Sequence, residues 1–117
     1  MDNKPWTLTK VKEGGRLSPS KKTVEFDSPE TLSHELAHMR LRLTEFPYYE
    51  EEAAVMLYCL AKGWAFRRAE LDWILESYSI DAKKSPSSFA SGIIEKLRRL
   101  EYISKSEADR ARRRVRR

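Results

Sequence analysis

Nine consecutive residues, Ala53 to Ala61 (AAVMLYCLA), carry no charge. At 3.6 residues per turn such a run presents apolar atoms all round, which marks a helix buried in the middle of a domain. It is too short to cross a bilayer, which takes about 20 residues. Its cysteine, Cys59, has no partner for a disulfide in this chain and reads as an inert core thiol. A chain of 117 residues is one domain, or one domain with a small appendage.

The segments on either side supply the rest of a mixed but mostly helical plan. Trp6 to Lys12 alternates in polarity and predicts a strand that ends at a Gly14-Gly15 turn. The segment SPSKK reads as a further turn, and KTVEF as a second strand with Val24 and Phe26 on one face. A helix then starts sharply. Asp27 or Ser28 caps it, Pro29 occupies the first turn, and Glu30 complements the helix dipole. Leu32, Leu36, Met39 and Leu43 form its apolar stripe and predict that it runs through Leu43. Pro47 disfavours a helical Phe46, so the apolar helix begins near Pro47 and ends at Lys62, with Gly63 beyond it as C-cap. Further helices are expected over Arg67 to Tyr78 and Ser85 to Leu100, with DAKKSPSS as the loop between them. A short EYIS turn or strand and a last, basic helix capped by Ser104 or Ser106 complete the chain.

The first long helix carries SHELAHMRL, which holds both histidines. His34 and His38 are four residues apart and therefore share one helix face, where two imidazoles can hold one zinc ion. Glu35 is rotated one residue away, beside the metal rather than on it, where it can take a proton from a zinc-bound water. The competing account is an ordinary helix face with Glu35 paired to Arg42. A catalytic zinc needs a third protein ligand and an open position. With no histidine left and Cys59 inside the apolar run, that ligand is a carboxylate: Glu50, Glu51 or Glu52 of YYEEEAA, which an antiparallel hairpin brings level with His38. The same acidic triplet also suits the first turn of a helix without any metal. Tyr48 and Tyr49 are candidate oxyanion donors, with packing of the hairpin corner as their other role.

HELAH, a short loop and EEEAAVML together resemble the glutamate-type zincins, and most closely the compact ImmA/IrrE-like metallopeptidases. The resemblance implies an HExxH helix followed by a ligand glutamate. Glu50 aligns as that ligand with Ala53 in the alanine place, and Glu51 with Ala54 is the alternative register. It further implies that KTVEF is an edge strand that binds a substrate backbone by strand addition. SPSSFASGIIEKLRRLEYIS is similar to the family's C-terminal helical segment.

The charge is unevenly spread. Lys96 to Arg117 holds ten basic and three acidic residues, a net +7, whereas Met1 to Glu95 is near neutral at −2. This basic end predicts an anionic partner, DNA or an acidic surface. The helix pair before it fits a helix-turn-helix or winged helix. Lys83, Lys84, Arg98, Arg99, Arg112, Arg113 and Arg114 are then the phosphate-contacting candidates. There is no glutamine and a single asparagine, Asn3, among many Lys, Arg and Glu, a composition typical of thermophile proteins. The N-terminus carries no signal-peptide pattern, and no long apolar run occurs, so a cytoplasmic protein outside the membrane is expected.

Taken together, these features predict an α+β, mostly helical chain. A short strand or hairpin lies against an HExxH helix hairpin within a zincin-like core over residues 1–63, and a helical segment with a basic tail follows over 64–117. The expected function is zinc-dependent peptide hydrolysis, with zinc on His34, His38 and Glu50 and with Glu35 activating the water. The alternative is a DNA-binding regulator in which HELAH is incidental.

Overall fold

The computed structural model describes residues 7–18, 23–41 and 43–116, with the backbone alone for Arg16, Ser18, Thr23, Val24, Glu25 and Leu43. Trp6, most of SPSKK and Arg42 lie outside the described residues, as do the side chains of Val24 and Leu43. Three short strands, β1 (Thr7–Lys10), β2 (Gly15–Ser18) and β3 (Thr23–Phe26), precede five helices. These are α1 (Pro29–Arg40), α2 (Tyr48–Lys62), α3 (Arg68–Asp81), α4 (Pro86–Arg99) and α5 (Lys105–Val115), with a single 3₁₀ turn at Leu43–Glu45. The architecture is α+β and mostly helical.

The sheet order is β1-β3-β2. β3 runs parallel to β1, with Thr7 opposite Thr23, and antiparallel to β2, with Gly15 opposite Phe26. Two expectations change here. β2 was not expected, because GRLS has one apolar residue, Leu17, and lies between two turn signals, Gly14-Gly15 and SPSKK. KTVEF is also not an edge strand. β3 is flanked on both sides, so both rows of its backbone groups are committed and the free edges belong to β1 and β2. Strand addition of a substrate to β3 is therefore excluded.

Local chemistry explains the start of α1. Ser28 Oγ accepts the Thr31 amide at 3.2 Å, and the Thr31 hydroxyl donates to Asp27 Oδ1 at 2.6 Å. Asp27 Oδ2 accepts the Gly14 amide at 2.8 Å, which ties the turn before β2 to the head of α1. Gly14 has φ 73°, a left-handed conformation that glycine adopts without a Cβ clash. These donors, the Thr31 hydroxyl first, hold the Asp27 carboxyl below its ordinary range.

α1 ends at Arg40, earlier than the expected Leu43. Leu41 leaves the helix in an extended conformation yet is buried, and the 3₁₀ turn then delivers Phe46 into the core. The early exit from the helix accompanies the burial of both Leu41 and Phe46. α2 matches its expected span. Every residue from Ala53 to Ala61 is buried, and Gly63 closes the helix with φ 76°. α1, α3, α4 and α5 all pack on α2, so one apolar cluster joins the five helices.

α4 begins at Pro86 with Ser85 as its cap, which shortens the expected DAKKSPSS loop to residues 82–85. EYIS is a turn with Glu101 in the left-handed region, and Ile103 within it is buried. α5 starts from a Ser104–Glu107 capping box. It is fastened to α2 by Lys62–Glu107 at 3.1 Å and by Arg110 donating to the Ala61 carbonyl at 3.3 Å. Arg68 donates to the carbonyls of Arg114 and Val115, which satisfies acceptors at the end of α5. No helix among the described residues is long and apolar enough to cross a membrane.

The central position of α2 sets the stability of the domain. Leu57 is wholly buried at its middle. Leu57→Ala removes that side chain and leaves a cavity, at a cost of about 2–5 kcal/mol. At about 4 °C per kcal/mol this lowers Tm by about 8–20 °C, read by circular dichroism on a scan that reverses.

Candidate metal centre

His34 and His38 stand on one side of α1, with ring centroids 4.7 Å apart and their Nε2 atoms 3.1 Å apart. The third group that meets them is Glu52. Its Oε2 lies 3.1 Å from His34 Nε2 and its Oε1 lies 3.5 Å from His38 Nε2. Among the described residues this is the one cluster of three ligand-type side chains, its donor atoms within 4.8 Å of one another.

The glutamate that the structure brings to the histidines is thus Glu52, and not Glu50, the expected third ligand, or its alternative Glu51. The reason is the rotational setting of α2. The Cys59 thiol donates to the Ser33 carbonyl at 3.6 Å, so the stripe through Cys59 faces α1. Glu52 precedes Cys59 by seven residues, nearly two whole turns, and lies on that stripe. Glu50 is nine residues before Cys59 and points to the opposite side. There it pairs with Lys96 of α4 at 3.5 Å, and Lys96 Nζ also sits 4.6 Å over the Phe46 ring. Glu51 lies a residue short of the stripe and outside the cluster.

The separations suit a small tetrahedral ion. Metal–ligand bonds of 2.0–2.1 Å at tetrahedral angles put neighbouring ligand atoms about 3.3 Å apart. The 3.1 Å between the two Nε2 atoms and the 3.1 Å from His34 to Glu52 Oε2 lie near that edge, while the 3.5 Å from His38 is to the other carboxylate oxygen, Oε1. Side-chain exposure of 21% for each histidine and 41% for Glu52 leaves the cluster open to solvent on one side. Two imidazoles and one carboxylate also leave a fourth coordination position without a protein ligand.

Without a metal, the same atoms form a hydrogen-bonded ion pair. The Glu52 carboxylate, as hydrogen-bond acceptor, raises the His34 pKa; burial opposes this, and the charges of Glu52, Glu35 and Glu70 reinforce it. Hydrogen bonds from His34 and then His38 hold the Glu52 carboxyl well below the usual range. Both shifts contribute stability between the ordinary carboxyl value of 4.5 and the ordinary imidazole value of 6.5. Above that window the His34 contribution is lost as pH rises through its raised pKa; below it the Glu52 contribution is lost as pH falls through its lowered one. Chelator-treated protein is therefore expected to melt highest near about pH 5–6. Zinc held at this cluster would be expected to raise Tm more as pH climbs from about 5.5 to 7.5, because the ion and the His34 proton would compete for one nitrogen. Thermal scans across that range, with and without zinc, read both trends.

Glu35 is half-buried on α1, and no cation among the described residues is paired with it. Tyr48 is 71% exposed and one turn before Glu52 on α2, whereas the half-buried Tyr49 ring packs toward Phe89 with centroids 6.4 Å apart. The Cys59 thiol is pushed up to about 12 by burial, which keeps it protonated in the core.

The nucleic-acid candidates are scattered over two helices and a loop. Arg98 and Arg112 both bind Glu95, whose carboxyl they hold down to about 2, with the hydrogen bond from Arg98 the larger influence. Arg112 also meets Asp109 at 3.4 Å, and the Arg114 carbonyl is bound by Arg68. Lys83, with φ 56°, and Lys84 lie in the exposed turn before α4; Arg99 and Arg113 are exposed on α4 and α5.

No protein-family model, curated protein or solved structure matches this chain.

Proposed function

We propose that this protein is a minimal zinc-dependent peptidase in which His34, His38 and Glu52 hold the metal and Glu35 is the general base. The observation that carries the reading is the convergence of the two α1 histidines with Glu52 at separations of 3.1 to 3.5 Å. Structural zinc sites are closed by four protein ligands, whereas catalytic sites use three and keep one position open. The cluster offers three ligand-type side chains and a solvent-facing side, which supports the second kind. Zinc bound there supplies Lewis acidity toward a peptide carbonyl and lowers the pKa of a coordinated water toward about 7.

The other roles fall to residues of the chain. Glu35 follows His34 by one residue, so its carboxylate is turned about 100° from the ligand and is left out of the cluster. It accepts a proton from the attacking water and returns one to the departing amine. Tyr48, exposed beside Glu52, is the better placed of the two tyrosines to donate to a developing oxyanion, since Tyr49 is engaged with Phe89.

The test is metal analysis on protein purified without a polyhistidine tag, alongside hydrolysis of a denatured protein such as casein. One zinc per chain, lost in His34→Ala, together with chelator-sensitive hydrolysis is the expected result. Protein that binds no stoichiometric zinc and melts identically with and without the ion overturns the proposal.

A further inference from the structure

A cleft of about 220 Å³ opens directly beside His34. It lies between the Gly14-Gly15 turn, the N-terminal half of α1 and the segment that leads into α3, with α2 and Phe66 beneath. Its volume is about seven times that of a water molecule in the liquid, room for one long side chain. The floor is apolar, formed by Met56, Cys59 and Phe66. The rim carries two half-buried carboxylates, Glu30 from the first turn of α1 and Glu70 from the first turn of α3. Among the described residues neither forms a salt bridge with a lysine or arginine, whereas at other helix contacts Glu50 pairs with Lys96, Glu95 with Arg112 and Glu107 with Lys62; Glu70 lends its charge to His34. Arg67 and Thr31 also border the cleft, and the Arg67 guanidinium is held at its rim by donating to the Ser28 hydroxyl at 2.8 Å and the Thr31 hydroxyl at 3.5 Å rather than to either carboxylate.

We propose that this cleft is a specificity pocket for a lysine or arginine side chain of the peptide substrate, next to the bond that is cut. An aliphatic stem lies along the apolar floor while its cationic head meets Glu30 and Glu70. A neutral apolar side chain fills the same floor but leaves two partly desolvated carboxylates without a partner, and an acidic one is repelled by them. Because His34 both lines the cleft and belongs to the metal cluster, a side chain held there belongs to a residue flanking the scissile bond. This inference rests on the peptidase reading for the words "substrate" and "bond", but the pocket's preference for a cation does not.

The experiment therefore reads binding and hydrolysis separately. Zinc-loaded protein is titrated with a short blocked peptide containing one central lysine and with its norleucine counterpart, which has the same stem and no charge. Hydrolysis of the same pair is followed by mass spectrometry. The lysine peptide is expected to bind about tenfold or more tightly than the norleucine peptide, as suits hydrogen bonds to charged groups. The E30Q/E70Q double variant, checked for folding by its circular dichroism, is expected to bring the two within about threefold. Equal binding of the two peptides by the unaltered protein, or a preference that survives in E30Q/E70Q, overturns the pocket. Hydrolysis with no lysine or arginine preference overturns the pocket and leaves the peptidase reading standing. Lysine-selective binding with no cleavage of either peptide sustains the pocket and overturns the peptidase reading.

Discussion

Exchanging Glu35 for glutamine is expected to lower peptide hydrolysis by about 10²- to 10⁴-fold, the contribution typical of a positioned general base, while zinc stays at one ion per chain. The two outcomes separate because Glu35 is not among the converging donor atoms, which come from His34, His38 and Glu52. Glutamine keeps the shape and the hydrogen-bonding capacity of the side chain but cannot take up a proton at neutral pH. The fold should tolerate the change, since Glu35 is only half-buried and no described cation is paired with it. Initial rates and metal content measured on one preparation decide the matter. Zinc retained with unchanged hydrolysis makes the centre non-catalytic, and loss of zinc together with activity places Glu35 among the ligands.

The second large effect discriminates among three adjacent glutamates. Glu52→Ala is expected to weaken zinc by at least about 100-fold, beyond the 10- to 100-fold loss usual when only an outer-shell partner of a ligand is removed. Glu50→Ala and Glu51→Ala should leave the affinity within about threefold. Glu50 has a different task, since its partner is Lys96 on α4. Removing that half-buried pair costs stability of about 0–1 kcal/mol, not metal. Competition against a chromophoric zinc chelator gives the three affinities. If Glu50→Ala shows the large loss and Glu52→Ala the small one, the rotational setting of α2 described here is wrong.

Much of this molecule is legible in its sequence because the signals concerned are local. Ser28-Pro29 and Ser85-Pro86 start α1 and α4 where helix chemistry places them, and Gly63 ends α2 at a left-handed residue. A spacing of four residues puts His34 and His38 on one face whatever surrounds them. The burial of Ala53–Ala61 follows likewise from nine residues with nothing that seeks water. The early end of α1 was not legible, because it depends on Leu41 and Phe46 both finding room in the core. Nor was the sheet order, since β2 carries a single apolar residue and the parallel pairing of β1 with β3 reaches across it, Thr7 opposite Thr23.

The choice of the glutamate that meets His34 and His38 shows where local signals stop. Sequence alone determined that an acidic triplet would stand at the head of the helix after HELAH. It did not determine which glutamate turns toward the histidines. An amphipathic helix declares its buried side through its polar one; α2, apolar all round after Glu52, declares none. Its rotation about its own axis was left to packing against α1, α3, α4 and α5 together, and the contact between Cys59 and the Ser33 backbone records the outcome. That rotation turned Glu52 onto the His34–His38 face and sent Glu50 to Lys96.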